Sequence, residues 1–368
     1  MQPVLRQINQ YLEEAAAAQR LRSLSPANEG IDFCSNDYLG FARNRQLHDQ
    51  LVQRIQAHPQ LLAGSTGSRL ISGNSTLLSE TERFIAAQHD SAAALLFPSG
   101  YMANLAVWSA LPQRGDTLLL DEYVHRSVHD GARLSAATRW KFRHNDCNDL
   151  ESKLKKAAGN CFVGIESLYS MDGDLAPLLE ISGLCTRYGA ALLVDEAHAI
   201  GVLDLGLVHQ YALQEQVLAT TVTYGKAMGS HGAAILCPEP VKQYLVNRAS
   251  PLIYTTAAPD SQWLSIRNAY EWLSAAEQPI EQLNKNINHW KEYQLSPSNQ
   301  VGPIQTINCP GVQEVKKLKQ VLYDQGLHCY AVCSPTVPAG AERLRICLHN
   351  YNLPSEIDLL ATTIRQHL

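Results

Sequence analysis

The sequence has no run of about 18 apolar residues long enough to cross a bilayer. Its start carries the Ala-rich polar stretch 13–20, with no basic-then-apolar leader and no small-residue cleavage site. Neither a membrane span nor a secretory signal is therefore expected. An excess of positive charge is missing as well, since 30 Lys plus Arg stand against 35 Asp plus Glu, a net charge of −5 over 368 residues. Without a basic field, neither nucleic acid nor an anionic membrane is an expected partner. No C-x-x-C pair occurs among the nine cysteines Cys34, Cys147, Cys161, Cys185, Cys237, Cys309, Cys329, Cys333 and Cys347. An odd, scattered set lying mostly in apolar runs argues against a disulfide framework and a zinc site, and is what buried thiols in a reducing cytoplasm look like. Internal repeats, low-complexity tails, a G-x-S-x-G elbow and an H-E-x-x-H metal pair are all lacking. Asp195-Glu196-Ala197-His198 is also the helicase box, but the phosphate-binding G-x-x-x-x-G-K-[S/T] is missing. Lys226 is followed by Ala227, and position 220 is Thr220 rather than glycine.

What is present is a globular composition, 45 % hydrophobic and 18 % charged, in a length that accommodates two or three domains. Seven short apolar runs alternate with helix-length segments: 92–97, 117–120, 138–142, 161–165, 191–194, 219–223 and 233–237. Continuous apolar strands of this kind belong to a mostly parallel α/β sheet covered by helices on both faces, with the ligand at the carboxyl ends of the strands. The first 25 residues have helical spacing, with Val4, Ile8 and Leu12 on one side and Leu5 and Tyr11 partly beside them. After Pro238 the texture changes to helices over 240–247 and 261–276, and then to a Pro/Ser/Asn-rich connection at 296–303. A smaller α+β C-terminal unit is expected beyond it, with strands at 304–309, 327–333 and 343–349 and helices at 312–325 and 354–366. This predicts an N-terminal helix and arm over 1–45, a large α/β domain over 46–245 and a small C-terminal domain over 246–368.

Four features fall at the ends of the expected strands. Asp195 closes the run 191–194, where a buried carboxylate must meet a cation or be protonated; a positively charged heteroaromatic nitrogen would suit it, and so would a helix-capping role. Lys226 follows the run 219–223 in Thr223-Tyr224-Gly225-Lys226-Ala227-Met228-Gly229. Small neighbours let a cofactor approach, and desolvation makes a lysine a usable nucleophile, although an ordinary solvated lysine fits the same spacing. Pro98-Ser99-Gly100-Tyr101 opens a helix after a strand, a turn whose free N–H groups can take phosphate. His125, after 117–121, can stack on a planar ring or sit as a satisfied core histidine.

Together these are the parts of a pyridoxal phosphate site, and the chain resembles the α-oxoamine synthases, which are fold type I pyridoxal 5'-phosphate enzymes. The resemblance runs from about residue 19 to the C-terminus. It rests on eight motifs in order: 35–40 (Ser-Asn-Asp-Tyr-Leu-Gly), 67–73 (Gly-Ser-Arg-Leu-Ile-Ser-Gly), 99–101, His125, 170–174 (Ser-Met-Asp-Gly-Asp), 195–198, 223–226 and 335–345. It implies that Lys226 joins covalently to the cofactor, that Asp195 pairs with its ring nitrogen and that His125 stacks on the ring. It further implies that His198 and Ser170 bond near the 3-oxygen, and that Gly100, Tyr101 and Thr223 hold the phosphate region. A Ser/Thr from a second subunit, Thr255 or Thr256 here, would complete the site of a homodimer. Asn36 and Arg345 match positions that hold the amino acid carboxylate, while Arg22, with Arg20 as a near alternative, and Thr336 match substrate-contacting positions. The implied reaction is a decarboxylative condensation of an amino acid with an acyl thioester, with His125 hydrogen-bonded to the thioester or keto oxygen. Tyr224 before Gly225-Lys226, and the run 335–340, favour the branch that joins L-alanine to a pimeloyl thioester carried by coenzyme A or acyl carrier protein. Glycine- and serine-using branches share the machinery. A partner subunit that has lost catalysis is the remaining alternative, against which the retained Lys226, Asp195, His198 and Arg345 speak.

Overall fold

All seven apolar runs become strands of one sheet in the computed structural model of the chain, which describes residues 2–18, 20–22, 24 and 29–368. Gln19, where the resemblance begins, lies outside the described residues. The strands are β1 (Ala93–Phe97), β2 (Thr117–Asp121), β3 (Thr138–Phe142), β4 (Cys161–Glu166), β5 (Ala191–Asp195), β6 (Val217–Thr223) and β7 (Ala233–Cys237), in the order β1-β7-β6-β5-β4-β2-β3. From β6 to β3 every pairing is parallel, and β7 alone runs antiparallel to both its neighbours. Burial on both faces is why these strands read as unbroken apolar runs: Leu118, Leu119, Val163, Leu192 and Ile235 are all in the core. Only β3, at the edge, is largely exposed.

The chain leaves β2 towards β3 in one direction and β4 towards β5 and β6 in the other. The order therefore reverses between β2 and β4, which opens a crevice at their carboxyl ends. Register lines up the polar ends of the central strands, with Glu166 beside Asp195 and Asp195 beside Thr221. Helix α1 (Thr76–Gln88) precedes β1, α2 (Gly100–Ala110) follows it, and α3 (Arg126–Leu134) follows β2. Gly164 is required where α2 crosses β4, since a Cβ there would stand 2.6 Å from the Trp108 ring.

The chain divides into two compact units, one of 36–284 with 349–351, and one of 1–35, 285–348 and 352–368. The change of texture near 240–260 is not the division. Helix α4 (Asp260–Leu273), expected in the C-terminal domain, belongs to the larger unit because its Trp263, Ile266 and Tyr270 pack in one apolar cluster with Leu78 and Ile85 of α1. In the smaller unit, β8 (Ile304–Asn308), β9 (Tyr330–Val332) and β10 (Arg343–Cys347) form an antiparallel sheet with β10 in the middle. The expected strand 327–333 is split, because Leu327–His328 pairs in parallel with Ile31–Asp32 and only Tyr330–Val332 joins β10. The helix Glu277–Glu292 has no counterpart in the sequence reading; its Leu283, Ile287 and Trp290 are buried at helical spacing among polar residues. The expected N-terminal helix is present as Pro3–Ala17, with none of its residues buried.

Replacing Trp263 by Ala should cost about 3–5 kcal/mol of unfolding free energy, the usual price of an emptied large core site. Denaturant unfolding checks this, and a loss under about 1 kcal/mol would show that α4 is not part of the larger unit's core.

Candidate active site

Asp195 ends β5 and is buried, and its carboxylate is satisfied by neutral donors. Oδ2 accepts from Asn104 Nδ2 at 2.7 Å, and Oδ1 accepts from the Ala197 amide at 2.9 Å. Asn104, one turn into α2, uses its whole amide: Nδ2 also donates to Ser127 Oγ at 3.0 Å, and Oδ1 accepts from Thr221 Oγ1 at 2.8 Å. The Ser127 amide donates to His125 Nδ1 at 3.3 Å, which makes that nitrogen an acceptor, so the Ser127 hydroxyl 2.8 Å away gives it its proton while accepting from Asn104. A ring whose Nδ1 accepts twice carries its proton on Nε2, so His125 is a neutral imidazole with an N–H to donate. Burial pulls its pKa below the ordinary value, against Asp195 and with the help of the Lys226 ammonium.

Glu166 ends β4 beside Asp195 and is fully buried, with Oε2 accepting from the Ser170 amide at 3.0 Å. Burial first, and the neighbouring Asp195 second, push its carboxyl up to about 8, so it is a neutral acid near pH 7. On the other side of Asp195, His198 Nδ1 and Tyr38 Oη are 2.8 Å apart, and Tyr38 Oη donates to Asn36 Oδ1 at 3.0 Å. With its proton given to Asn36, the phenol accepts from His198, which places a proton on Nδ1 of that ring. Tyr38 is also stacked on His349, at 6.4 Å between ring centres.

The turn after β1 ends in Ser99, whose Oγ accepts from the Met102 amide at 3.4 Å and starts α2. Gly100 is needed there, because a Cβ would stand 2.5 Å from Thr223 Cγ2 at the end of β6. The first N–H groups of α2 and the Thr223 side chain thus share one small cradle, and Thr223 Oγ1 donates to the Ala197 carbonyl at 3.2 Å. Lys226 is half-buried in the turn that follows β6, which is closed by the Ser230 amide on the Tyr224 carbonyl at 2.8 Å. Gly229 in this turn has φ +57°, and a side chain there would strike the backbone at Phe41 and Ala42. A buried acceptor for a cationic ring nitrogen, an anion cradle at a helix start, an amine on a small-residue turn and an imidazole N–H donor fit a phosphate-bearing heteroaromatic aldehyde. Among the described residues no group of three or more metal-ligating side chains is present.

Hydrogen bonds thus link His125 with Asp195 and Asn36 with His198, and packing sets Gly100 against Thr223. Ser170 is buried and joined to Glu166 through its amide. Tyr101 is half-exposed, its hydroxyl held by Asp130 at 2.5 Å on α3. Thr255 is half-buried and Thr256 exposed, in a segment bridged to Ser68 and fixed by the Ala257 amide on the Gly67 carbonyl at 3.0 Å. The smaller unit carries Arg22 and Thr336, both exposed, and Arg345, which is buried on β10 with Nη1 3.0 Å from Cys347 Sγ. The sequence reading missed Asn104, Ser127, Glu166 and Tyr38 as site residues. A lone polar residue on the otherwise apolar face of α2 was the available signal for Asn104, and a carboxylate closing a buried strand was the signal for Glu166. Glu196, inside the motif 195–198, has a framework role: its Oε1 accepts from the Val208 amide at 3.1 Å, and burial pushes its carboxyl up to about 7.

The class I and II aminotransferase family matches residues 28–362. The chain is 38% identical to an 8-amino-7-oxononanoate synthase from Emericella nidulans, over 95% of this chain and 92% of that one. It is 32% identical to another from Lysinibacillus sphaericus, over 97% and 96%. Among solved structures, the 8-amino-7-oxononanoate synthase of Francisella tularensis superposes with a TM-score of 0.78 at 25% identity, covering 92% of this chain and 97% of that one. A serine palmitoyltransferase from S. paucimobilis with a bound PLP–myriocin aldimine superposes with a TM-score of 0.88 at 22% identity over 98% and 96%, a likeness of fold.

Glu166 makes a pH-dependent prediction. Between its ordinary 4.5 and about 8 the folded chain keeps a proton that the unfolded chain releases, so stability falls as pH rises through that window. Glu166→Gln should remove this part of the slope and gain on the natural protein from pH 5 to 8 in thermal unfolding, Glu196 keeping its own share in both; parallel curves would contradict the assignment.

Proposed function

We propose a function for a chain that belongs to the class I and II aminotransferase family and, within it, to the 8-amino-7-oxononanoate synthases. It is a pyridoxal phosphate-dependent acyltransferase of biotin synthesis that condenses L-alanine with a pimeloyl thioester, releasing carbon dioxide and the free thiol carrier. The observation that carries the reading is the chain Asp195–Asn104–Ser127–His125, which sets a buried acceptor and an imidazole donor in one hydrogen-bonded system on the large sheet.

Pyridoxal phosphate, when bound, supplies an electron sink for the charge that develops at the Cα of the amino acid. Asp195 is the acceptor for its ring N–H, and Asn104 keeps that carboxylate in place. The N–H groups at the start of α2, from Gly100 and Tyr101, take the phosphate together with Thr223. Ser170 and His198 hold the 3-oxygen side. Lys226 would hold the cofactor through Nζ, and its amine would take the Cα proton of the amino acid. His125 would lie beside the cofactor and offer its Nε2 proton to the thioester carbonyl oxygen, where negative charge grows during acyl transfer. Asn36 and the Arg345 fork receive the substrate carboxylate, with Arg22 and Thr336 as further substrate contacts.

The working form we propose is a homodimer in which Thr255 or Thr256 reaches the phosphate of the partner's site, and its compartment is the cytoplasm. Support for the compartment comes from nine free cysteines; among the described residues no helix is long and apolar enough to cross a membrane.

The test is a visible absorption spectrum of the cofactor-loaded protein titrated with L-alanine, glycine and L-serine, then with a pimeloyl thioester. The band should respond best to alanine and change again on addition of the acyl donor; a best response to glycine or serine would move the enzyme to a sister reaction. Lys226→Ala should retain cofactor without the covalent link and lose about 10²–10⁴-fold or more in turnover. Unchanged turnover in that variant would remove Lys226 from the chemistry.

A further inference from the structure

Asp174 of the motif 170–174 and Asp121 at a strand end are aspartates to which the reaction assigns no task, and one histidine joins them. His144, just beyond β3, has Nδ1 3.0 Å from Asp121 Oδ1 and Nε2 3.0 Å from Asp174 Oδ2. Carboxylates accept and do not donate, so both ring nitrogens must carry protons, and the ring is an imidazolium between two buried anions.

The surroundings hold that ring in place. Tyr123 stacks on it at 4.5 Å and 25°, and Tyr169 meets it edge-on at 4.4 Å and 89°. Asn145, with φ +53°, donates its amide to Asp121 Oδ2 at 2.9 Å and its side chain to Asp174 Oδ2 at 3.1 Å and the Leu175 carbonyl at 3.1 Å. The Glu122 carboxylate accepts from the His144 amide at 3.0 Å, and Arg143 turns to Asp146 at 2.7 Å. The groups facing the ring are thus two carboxylates, two phenols and the Asn145 side-chain amide, whose Nδ2 lies 3.2 Å from Nε2 while its two protons go to Asp174 and the Leu175 carbonyl; among the described residues no second cation pairs with Asp121 or Asp174. Although burial disfavours the charged ring, its hydrogen bonds to Asp121 and Asp174 outweigh that and raise His144 to about 10.

Asp121 ends β2, and Asp174 lies in the loop that follows β4, so the two flank the point where the strand order reverses. Asp121 accepts from the Tyr123 amide at 2.9 Å and so shapes the turn that delivers His125. Asp174 closes the loop of Ser170, whose ends are tied by the Tyr169 amide on the Asp174 carbonyl at 3.0 Å. We propose that His144 is a positioning residue, a cationic staple that fixes the loop carrying His125 against the loop that follows Glu166 and carries Ser170, across the crevice between β2 and β4. The inference rests on the proposed function for what those loops do, but not for the staple itself.

Removing one carboxylate tests it. In Asp174→Asn the ring keeps one anionic partner, its pKa falls towards the ordinary histidine range, and the staple opens as pH rises. The cofactor-loaded variant should show a new loss of kcat between about pH 6 and 8, with KM for alanine little changed, in a range where the natural protein keeps its charged ring. His144→Gln should lower kcat about 10–100-fold at every pH, the cost of a small misplacement of reacting groups. A merely structural histidine would lower the melting temperature of both variants and leave the shape of the pH profile as in the natural protein, which would overturn the proposal.

A second measurement does not depend on folding of a variant or on turnover. The ring ¹⁵N resonances of His144 in the natural holoenzyme at pH 8 should both be those of protonated nitrogens, and a neutral tautomer would overturn the staple. Should the natural protein condense none of the three amino acids, the functional reading fails by itself. The ¹⁵N result, and the visible circular dichroism of the bound pyridoxal phosphate in Asp174→Asn against pH, then still decide the staple.

Discussion

A carboxylate placed at the end of a strand buried on both faces has to be solvated by the protein, and the site is organised by how Asp195 achieves this. Its two oxygens take the Asn104 side chain and the Ala197 amide, and each donor sets further geometry. The amide begins the turn that carries His198; Asn104 spends its remaining capacity on Thr221 and Ser127. Ser127 brings both its amide N–H and its hydroxyl to His125 Nδ1, and the amide, which can only donate, fixes the tautomer of that ring. Burial first, and the negative charge of Asp195 beside it in the register second, explain why the Glu166 carboxyl keeps its proton. The buried anion thus bears on both neighbours, with no cation among the hydrogen bonds that connect it to His125.

The strands were legible because burial on both faces removes the polar alternation and leaves continuous apolar runs at 93–97, 117–121 and 191–195. What those runs do not encode is their order, which depends on packing between segments far apart in the chain. The helix 277–292 escaped notice because only Leu283, Ile287 and Trp290 mark its inner side among Glu, Gln, Asn and Lys. The strand 327–333 reads as one apolar-rich run, but two different partners, Ile31–Asp32 and β10, divide it at Cys329. Helix α4 was misassigned to the smaller unit for a similar reason: its Trp263 and Tyr270 identify a buried helix without identifying the α1 face that buries it.

At the site, the residues that reading by type could find were those with reactive groups, namely Lys226, Asp195, His125 and His198. Those it passed over act through hydrogen-bond accounting. Asn104 and Ser127 are unremarkable as letters, and their importance lies in linking Asp195 and Thr221 to His125 through side-chain hydrogen bonds. The motifs also mix chemistry with framework. In 67–73, Arg69 forms a buried ion pair with Glu82 at 2.6 Å, and Glu82 in turn accepts from the Leu96 amide at 2.8 Å and from Lys242 at 2.8 Å. That arginine holds the segment against α1 and β1, and a reading that assigns every motif residue to a ligand would misplace it.

His125 and His144 show why residue type alone cannot settle charge. They lie on neighbouring stretches of the chain, His125 exposed on one side and His144 half-buried, and loss of solvent around each pushes both towards the neutral form. The partners reverse the outcome for one of them. His125 faces a serine hydroxyl and an amide N–H, two donors to a single nitrogen, which only a neutral ring can accept. His144 faces a carboxylate at each nitrogen, which only a charged ring can satisfy. A neutral imidazole is what a hydrogen-bond donor to a developing oxyanion requires, since an imidazolium beside Lys226 would add to the repulsion there. A charged one is what two buried aspartates, Asp121 at the end of β2 and Asp174 in the loop after β4, require. The crevice between β2 and β4 therefore separates two histidines into two charge states, and the sequence specifies this only through the residues three-dimensional folding places against each ring.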